Sequence, residues 1–144
     1  MAAELAIRGT LTLARNSGDG PMPLKEICEA RELPRDYMAR IFGDLSRAQI
    51  VAAVRGKGGG YRLARPAETI SLLDIIEAVE GPLALNLCQF DPPQCEERDC
   101  PVRPVWTDLQ ETVRRALKSK TLDMLVCPED HAPAPTGGGT DPEN

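Results

Sequence analysis

The sequence predicts a mainly α protein with a small β-wing: a winged helix-turn-helix domain followed by a long C-terminal dimerisation helix. Three observations predict it. Two short helical segments, residues 23–30 and the stretch opened by Pro34, are separated by a tight turn, and the second leaves arginines on its free face. An apolar strand, Ile50-Val-Ala-Ala-Val54, passes through the glycine-rich turn Arg55-Gly-Lys-Gly-Gly-Gly-Tyr61 into a second strand, which makes a two-stranded ribbon. Beyond that ribbon, a helical segment of about 16 residues carries an apolar stripe that a complete winged domain does not need, and a second copy of the chain is the natural cover.

Residues 3–16 place Leu5, Ile7, Leu11, Leu13 and Ala14 at helical intervals, and the turn-forming run Asn16-Ser-Gly-Asp-Gly-Pro21 stops that helix. The next helix starts at Pro23, with Leu24, Ile27 and Cys28 on one face. Cys28 there reads as a small buried hydrophobe. In the helix from Pro34, the buried stripe is Tyr37, Met38, Ile41, Phe42, Leu45 and Ala48, and Arg35, Asp36, Ala39, Arg40, Gly43 and Arg47 face outward. The ribbon displays Arg55, Lys57 and Arg62 on backbone flexible enough to approach a groove. It lacks the Gly-Lys-Ser/Thr ending and following helix of a phosphate-binding loop. Residues 72–80 form an amphipathic helix with Ser71 as N-cap and Asp74 at N3, ended by Gly81-Pro82. After Pro101, Val102, Val105, Trp106, Leu109, Val113 and Leu117 line one stripe, opposite Asp108, Glu111, Arg114 and Arg115. Residues 121–126 add a last apolar turn. The organisation expected is a winged helix-turn-helix domain over 1–81, a cysteine-rich loop over 82–101, a dimerisation helix over 102–126 and a disordered tail over 127–144.

The 144 residues suffice for one domain and an extension, and aromatics at 3% leave the core to Leu, Ile, Val and Ala. No apolar run reaches the ~18–20 residues that span a bilayer, and the N-terminus has no basic signal-peptide region. Five cysteines without a secretory signal point to a reducing cytoplasm rather than a disulfide scaffold. The net charge of −5 hides an asymmetry. Residues 1–65 hold 11 Lys/Arg against 7 Asp/Glu, a balance of +4; residues 66–144 hold 6 against 15, a balance of −9. A basic front half suits contact with phosphate. No nucleophile–base pair, paired catalytic carboxylates or cofactor loop is present, so an enzyme is not expected.

Cys88, Cys95 and Cys100 fall within one proline-containing stretch, Cys88-Gln-Phe-Asp-Pro-Pro-Gln-Cys95-Glu-Glu-Arg-Asp-Cys100. Pro92 and Pro93 exclude a helix interior or central strand, and each gap is long enough to aim its sulfur at a common point. Three sulfurs cannot all pair with one another. A soft metal or an iron–sulfur cluster would use all three thiolates. Incidental or purely structural cysteines, one disulfide plus a free thiol, or zinc are the alternatives, although zinc ligands usually begin with a tighter pair.

Several stretches together resemble the Rrf2 family of bacterial transcription regulators, the group of IscR, NsrR and RirA. They are Glu4-Leu-Ala-Ile-Arg8, Tyr37-Met-Ala-Arg-Ile-Phe42, Val54-Arg-Gly-Lys-Gly-Gly-Gly-Tyr61-Arg-Leu-Ala64, and the cysteine loop followed by Val105-Trp106. The resemblance runs from about Leu5 to Val126. It implies a homodimer on a pseudo-palindromic double-stranded operator, with the helix from Pro34 in the major groove. Arg35, Asp36, Tyr37, Ala39 and Arg40 would face DNA there, and Arg55, Gly56, Lys57 and Tyr61 would serve from the wing. It also implies that the cysteine loop holds an iron–sulfur cluster, 4Fe–4S in preference to 2Fe–2S. IscR-like members place a histidine three residues after the last cysteine, where this chain has Arg103, and a guanidinium cannot ligate. NsrR-like members use an N-terminal carboxylate, and Glu4 stands at that place. The resemblance thus implies Glu4, from the partner subunit, as fourth ligand beside Cys88, Cys95 and Cys100, ahead of Cys127; His131 is the only histidine and lies in the tail. The function expected is a cluster-dependent regulator sensing nitric oxide, redox state or iron and cluster supply. A zinc- or thiol-redox-regulated DNA-binding repressor is the alternative. An electron carrier or cluster-delivery protein would have no use for the wing.

Overall fold

The structure, a computed structural model, describes residues 1–126. The expected tail, with Cys127 and His131, lies outside the described residues. Among the described residues, six α-helices and one β-ribbon follow in the order α1 (Ala2–Arg15), α2 (Leu24–Glu29), α3 (Arg35–Arg47), β1 (Val51–Val54), β2 (Gly60–Leu63), α4 (Leu72–Glu80), α5 (Arg103–Lys118) and α6 (Leu122–Leu125). Short 3-10 turns at Ala67–Thr69 and Leu87–Gln89 join the later elements.

The core forms where α1, α3 and α4 meet. Met38, Ile41, Phe42 and Leu45 of α3 are almost wholly buried, as the helical spacing predicts, and each contributes about 1.5–3 kcal/mol by leaving water. Tyr37 and Ala48 do not join that stripe: both are exposed, Tyr37 by 40%, because the buried face is only as wide as α1 and α4 cover. On α1 the buried residues are Ala6, Gly9, Thr10, Thr12, Leu13 and Ala14, while Leu5, Ile7 and Leu11 are half-covered. Small side chains win the centre because α1 lies against α3; a Cβ on Gly9 would come within 2.8 Å of the Phe42 ring and 2.9 Å of Met38. The Thr10 hydroxyl, buried there, donates to the Ala6 carbonyl at 2.9 Å, so no polar group is stranded.

β1 and β2 pair antiparallel with Val51 opposite Leu63 and Val54 opposite Gly60. The ribbon is anchored to the domain by Met22, which exchanges two backbone hydrogen bonds of 2.8 Å with Tyr61. Gly60, at φ 152, is squeezed against Met22, and any Cβ would meet that backbone at 2.4 Å. Helix α4 starts with the expected cap: the Asp74 N–H donates to Ser71 Oγ at 3.2 Å, and the Ser71 N–H donates to Asp74 Oδ2 at 2.9 Å.

The stretch 102–126 is two helices rather than one. α5 ends at Lys118 and the chain turns back, so that the Leu72 N–H donates to the Lys120 carbonyl and the Leu122 N–H to the Ile70 carbonyl. Leu122 is fully buried in the core. The stripe on α5 also divides. Trp106, Val113 and Leu117 are half-buried, whereas Val102, Val105 and Leu109 are about half exposed, at 51, 56 and 47%. Arg114 does not face outward as the periodicity predicts; it pairs with Glu77 of α4. The side of α5 shared by Trp106, Val113, Arg114 and Leu117 therefore meets its own domain, and the neighbouring apolar strip stays open.

Candidate nucleic-acid interface and cysteine loop

Helices α2 and α3 form the helix-turn-helix. The turn is closed by Leu33, buried, whose N–H donates to the Cys28 carbonyl at 2.9 Å, and by Glu32 in the left-handed region at φ 53. Pro34 caps α3 and starts it without needing a donor. Arg35, Asp36, Tyr37, Ala39 and Arg40 all lie on the exposed face of α3. Arg47, at the far end, is held by Asp44 of the same helix. Arg55, Gly56 and Lys57 are exposed at the tip of the ribbon. Gly56 at φ 99 and Gly58 at φ 77 supply the turn that no β-carbon residue would favour. The chain thus presents an exposed helix face and a projecting basic turn, both within the front half that carries the charge excess.

Tyr61 stands apart from the other expected wing contacts. Its ring packs edge-on against Phe42, with centroids 4.8 Å apart and planes at 70°, and its backbone is committed to Met22. The aromatic that the wing motif offers anchors the ribbon to the core. A hydrophobic residue in a ribbon beside an otherwise glycine-rich tip was the available sequence signal for that role.

The cysteine loop leaves α4 at Gly81 and reaches α5 with no regular structure after the 3-10 turn at Leu87–Gln89. Its first half is tied down on both sides. Glu77 Oε1 accepts from the Leu83 N–H at 3.0 Å and also from Arg114, so one half-buried carboxylate joins α4, the start of the loop and α5. The Leu85 N–H donates to Gln110 Oε1 at 3.1 Å, Gln89 Nε2 donates to Thr107 Oγ1 at 3.3 Å and lies 3.4 Å from Cys88 Sγ. The arc 95–100 is held differently: the hydrogen bonds that reach it both come from Arg103.

Cys88, Cys95 and Cys100 are free thiols of intermediate exposure. The expectation that each gap folds its sulfur toward a common point is not met within this chain: among the described residues, no group of three or more His, Cys, Asp or Glu side chains is gathered closely enough to hold a metal ion. The loop does fold back, since the Gln94 N–H donates to the Leu87 carbonyl at 2.9 Å, and Arg103 of α5 ties the arc 95–100 through the carbonyls of Glu97 and Cys100, yet the three thiols are not gathered. Glu4 lies in the first turn of α1, exposed by 57% and paired with Arg8 one turn on. Beside it, Glu80 accepts from the Ala3 N–H at 3.0 Å and satisfies one free donor of the helix N-terminus. In chemistry, though not in gathering, the loop suits a soft metal or an iron–sulfur group: it offers three unbridged thiols, and Arg103, which bonds the carbonyls of Glu97 and Cys100 in that loop, keeps a buried Nε with no hydrogen-bond partner. Cys28 is of another kind. It is buried between α2 and α3, and burial raises its pKa, with Arg35 opposing and Glu29 adding to the shift.

The comparisons with known proteins agree with this layout. The family model described as "Iron-dependent Transcriptional regulator" (Rrf2) matches residues 1–128. The HTH-type transcriptional regulator IscR of Sodalis glossinidius is 35% identical over 126 residues, spanning 87% of this chain and 76% of the relative. The IscR of Yersinia enterocolitica matches to the same extent. Among solved structures, CymR, the global cysteine regulator of B. subtilis, superposes with a TM-score of 0.75 at 28% identity, covering 88% of this chain and 93% of that one. T. potens IscR superposes at 0.73, again at 28% identity, over 88% and 83% of the two chains.

Proposed function

This chain belongs to the Rrf2 family of DNA-binding transcriptional regulators, which are not enzymes, and on that footing we propose that it is a homodimeric regulator whose cysteine loop binds an iron–sulfur cluster. Cys88, Cys95 and Cys100 of one protomer, with Glu4 of the partner subunit, would hold it, 4Fe–4S in preference to 2Fe–2S. Bound there, the cluster would supply a centre that responds to nitric oxide, redox state or iron supply, because a carboxylate-held iron is the weakly held corner. The observation that carries the reading is the loop with three unbridged thiols, strung between α4 and α5 and tied to both through Glu77.

The chain's own residues give the loop a route to DNA. Glu77 links the loop to α4, and α4 packs against α3, whose Arg35, Asp36, Tyr37 and Arg40 would read the major groove. Arg55, Gly56 and Lys57 would meet the adjacent minor groove or phosphates. Closing the arc 95–100 onto Cys88 would shift the loop relative to α4, and two such units across a dimer would change the spacing of the recognition helices on a pseudo-palindromic operator.

The test is anaerobic purification followed by a visible spectrum and iron and sulfide assays on wild type, Cys95→Ala and Glu4→Ala. A brown wild type, colourless Cys95→Ala and a Glu4→Ala protein that bleaches faster are expected, with operator affinity differing between loaded and stripped wild type. A second reading, cluster-free control by zinc or thiol oxidation, is favoured by the separated thiols of the single chain. A colourless protein after reconstitution, whose operator affinity changes with zinc or a disulfide-forming oxidant, would establish it instead.

A further inference from the structure

Arg103 is the first residue of α5, where the peptide dipoles of the helix sum to a positive end. A cation is misplaced there unless an anion stands beside it. The first turn of α5 has no acidic residue and no side-chain cap. The guanidinium turns back over the cysteine loop instead: Nη2 donates to the carbonyl oxygen of Glu97, and the backbone N–H donates to the carbonyl oxygen of Cys100 at 3.2 Å. Nε is buried and has no hydrogen-bond partner. The ion pairs of the described residues include none to Arg103. Glu96, Glu97 and Asp99 are exposed, and Glu97 meets the guanidinium through its carbonyl rather than its carboxylate.

A permanently charged group with a buried, unused N–H at the positive end of a helix is poised for an acceptor that carries negative charge. The groups within the same arc that become such acceptors on binding metal are sulfurs. We propose that Arg103 Nε–H donates to an anionic sulfur held by the cysteine loop, a metal-bound thiolate of that loop or a cluster sulfide. Arg103 is then a positioning residue that steadies and tunes the bound group without ligating it. The inference deepens the reading above and rests on the loop holding a metal or cluster.

Full-length wild type, Arg103→Met and Arg103→Lys are reconstituted anaerobically with ferrous iron and sulfide. Equal iron and sulfide per subunit are expected in all three, since no ligand is removed. The Met variant should lose iron to a chelator about tenfold faster, the usual scale for an outer-shell partner. Its midpoint potential should move to more negative values, because a positive charge and a donor to sulfur are both gone. The Lys variant keeps the charge without the planar fork, so its potential should return toward wild type while its iron loss stays fast. Identical potentials and loss rates in wild type and Met overturn the proposal. Should the Met variant fail to fold by circular dichroism, Lys against wild type carries the comparison, and equal loss rates overturn it. A wild type that takes up no iron and sulfide sinks the cluster reading separately. The same proteins are then titrated with Zn2+ alone, where about tenfold weaker binding by Met supports the sulfur donor and equal binding overturns it. Wild type that binds neither overturns both.

Discussion

Cys28 and the loop cysteines are one chemical group in two settings. Between α2 and α3, Cys28 is 5% exposed, and desolvation holds its thiol above the ordinary value near 9.0. The sign follows: the fold favours the neutral thiol, so this contribution to stability is complete below the ordinary value and is lost as pH rises past it through the folded-state value. Iodoacetamide at pH 8 without denaturant should label Cys88, Cys95 and Cys100 of the metal-free protein and spare Cys28, as read by peptide mass mapping; equal labelling would mean that α2 opens readily. At the same scale, Lys57 at the ribbon tip is an exposed point charge. Lys57→Ala should weaken operator and unrelated DNA alike and lower the slope of log K against log salt by about one, measured by fluorescence anisotropy across salt concentrations.

The elements show where residue pattern and packing part company. Strand β2 begins at Gly60 because Met22 occupies the space a side chain would need, and φ 152 strains any other residue. Gly60→Ala should cost about 1–3 kcal/mol in urea denaturation. It should loosen the ribbon more than the helices, so amide exchange should quicken first at Met22 and Tyr61, whose paired backbone bonds it breaks. The periodicity of α3 located its buried face, yet it widened the stripe by Tyr37 and Ala48. A helical wheel gives direction, but the neighbours decide the width of cover. For the same reason Arg114 was placed outward on α5 by pattern and lies against Glu77 by packing.

At the scale of the molecule, α5 is the unfinished part. Its strip of Val102, Val105 and Leu109 remains about half exposed after α6 has returned Leu122 to the core. A contiguous apolar strip on a helix about 24 Å long is what an isologous dimer contact would cover. For the homodimer proposed above, Leu109→Glu should shift the protein from dimer to monomer in analytical ultracentrifugation while leaving its helical signal nearly unchanged. A dimer as tight as wild type would place the contact elsewhere. The monomer should bind a half-site operator as wild type does and lose the steepness of binding to the full palindrome.

The helices, the two-stranded ribbon, the Ser71–Asp74 cap and the exposed face of α3 follow from local rules: apolar period, turn chemistry and capping act over a few residues, and the chain carries them in order. The type and spacing of the three cysteines, too, are local features, and they carry the proposal of a shared site. What only the tertiary structure decided depends on residues far apart in sequence. Glu77 meets Arg114 and Leu83, Tyr61 turns onto Phe42, Gly9 admits α3, and 102–126 breaks so that Leu122 can finish the core. No local pattern encodes these, because each is settled by which surfaces compete for the same space once the helices pack. The gathering of the three thiols belongs to the same class: spacing permits it, and the fold of the single chain, which bonds Gln89 to Thr107 and the arc 95–100 to Arg103, both on α5, leaves them ungathered.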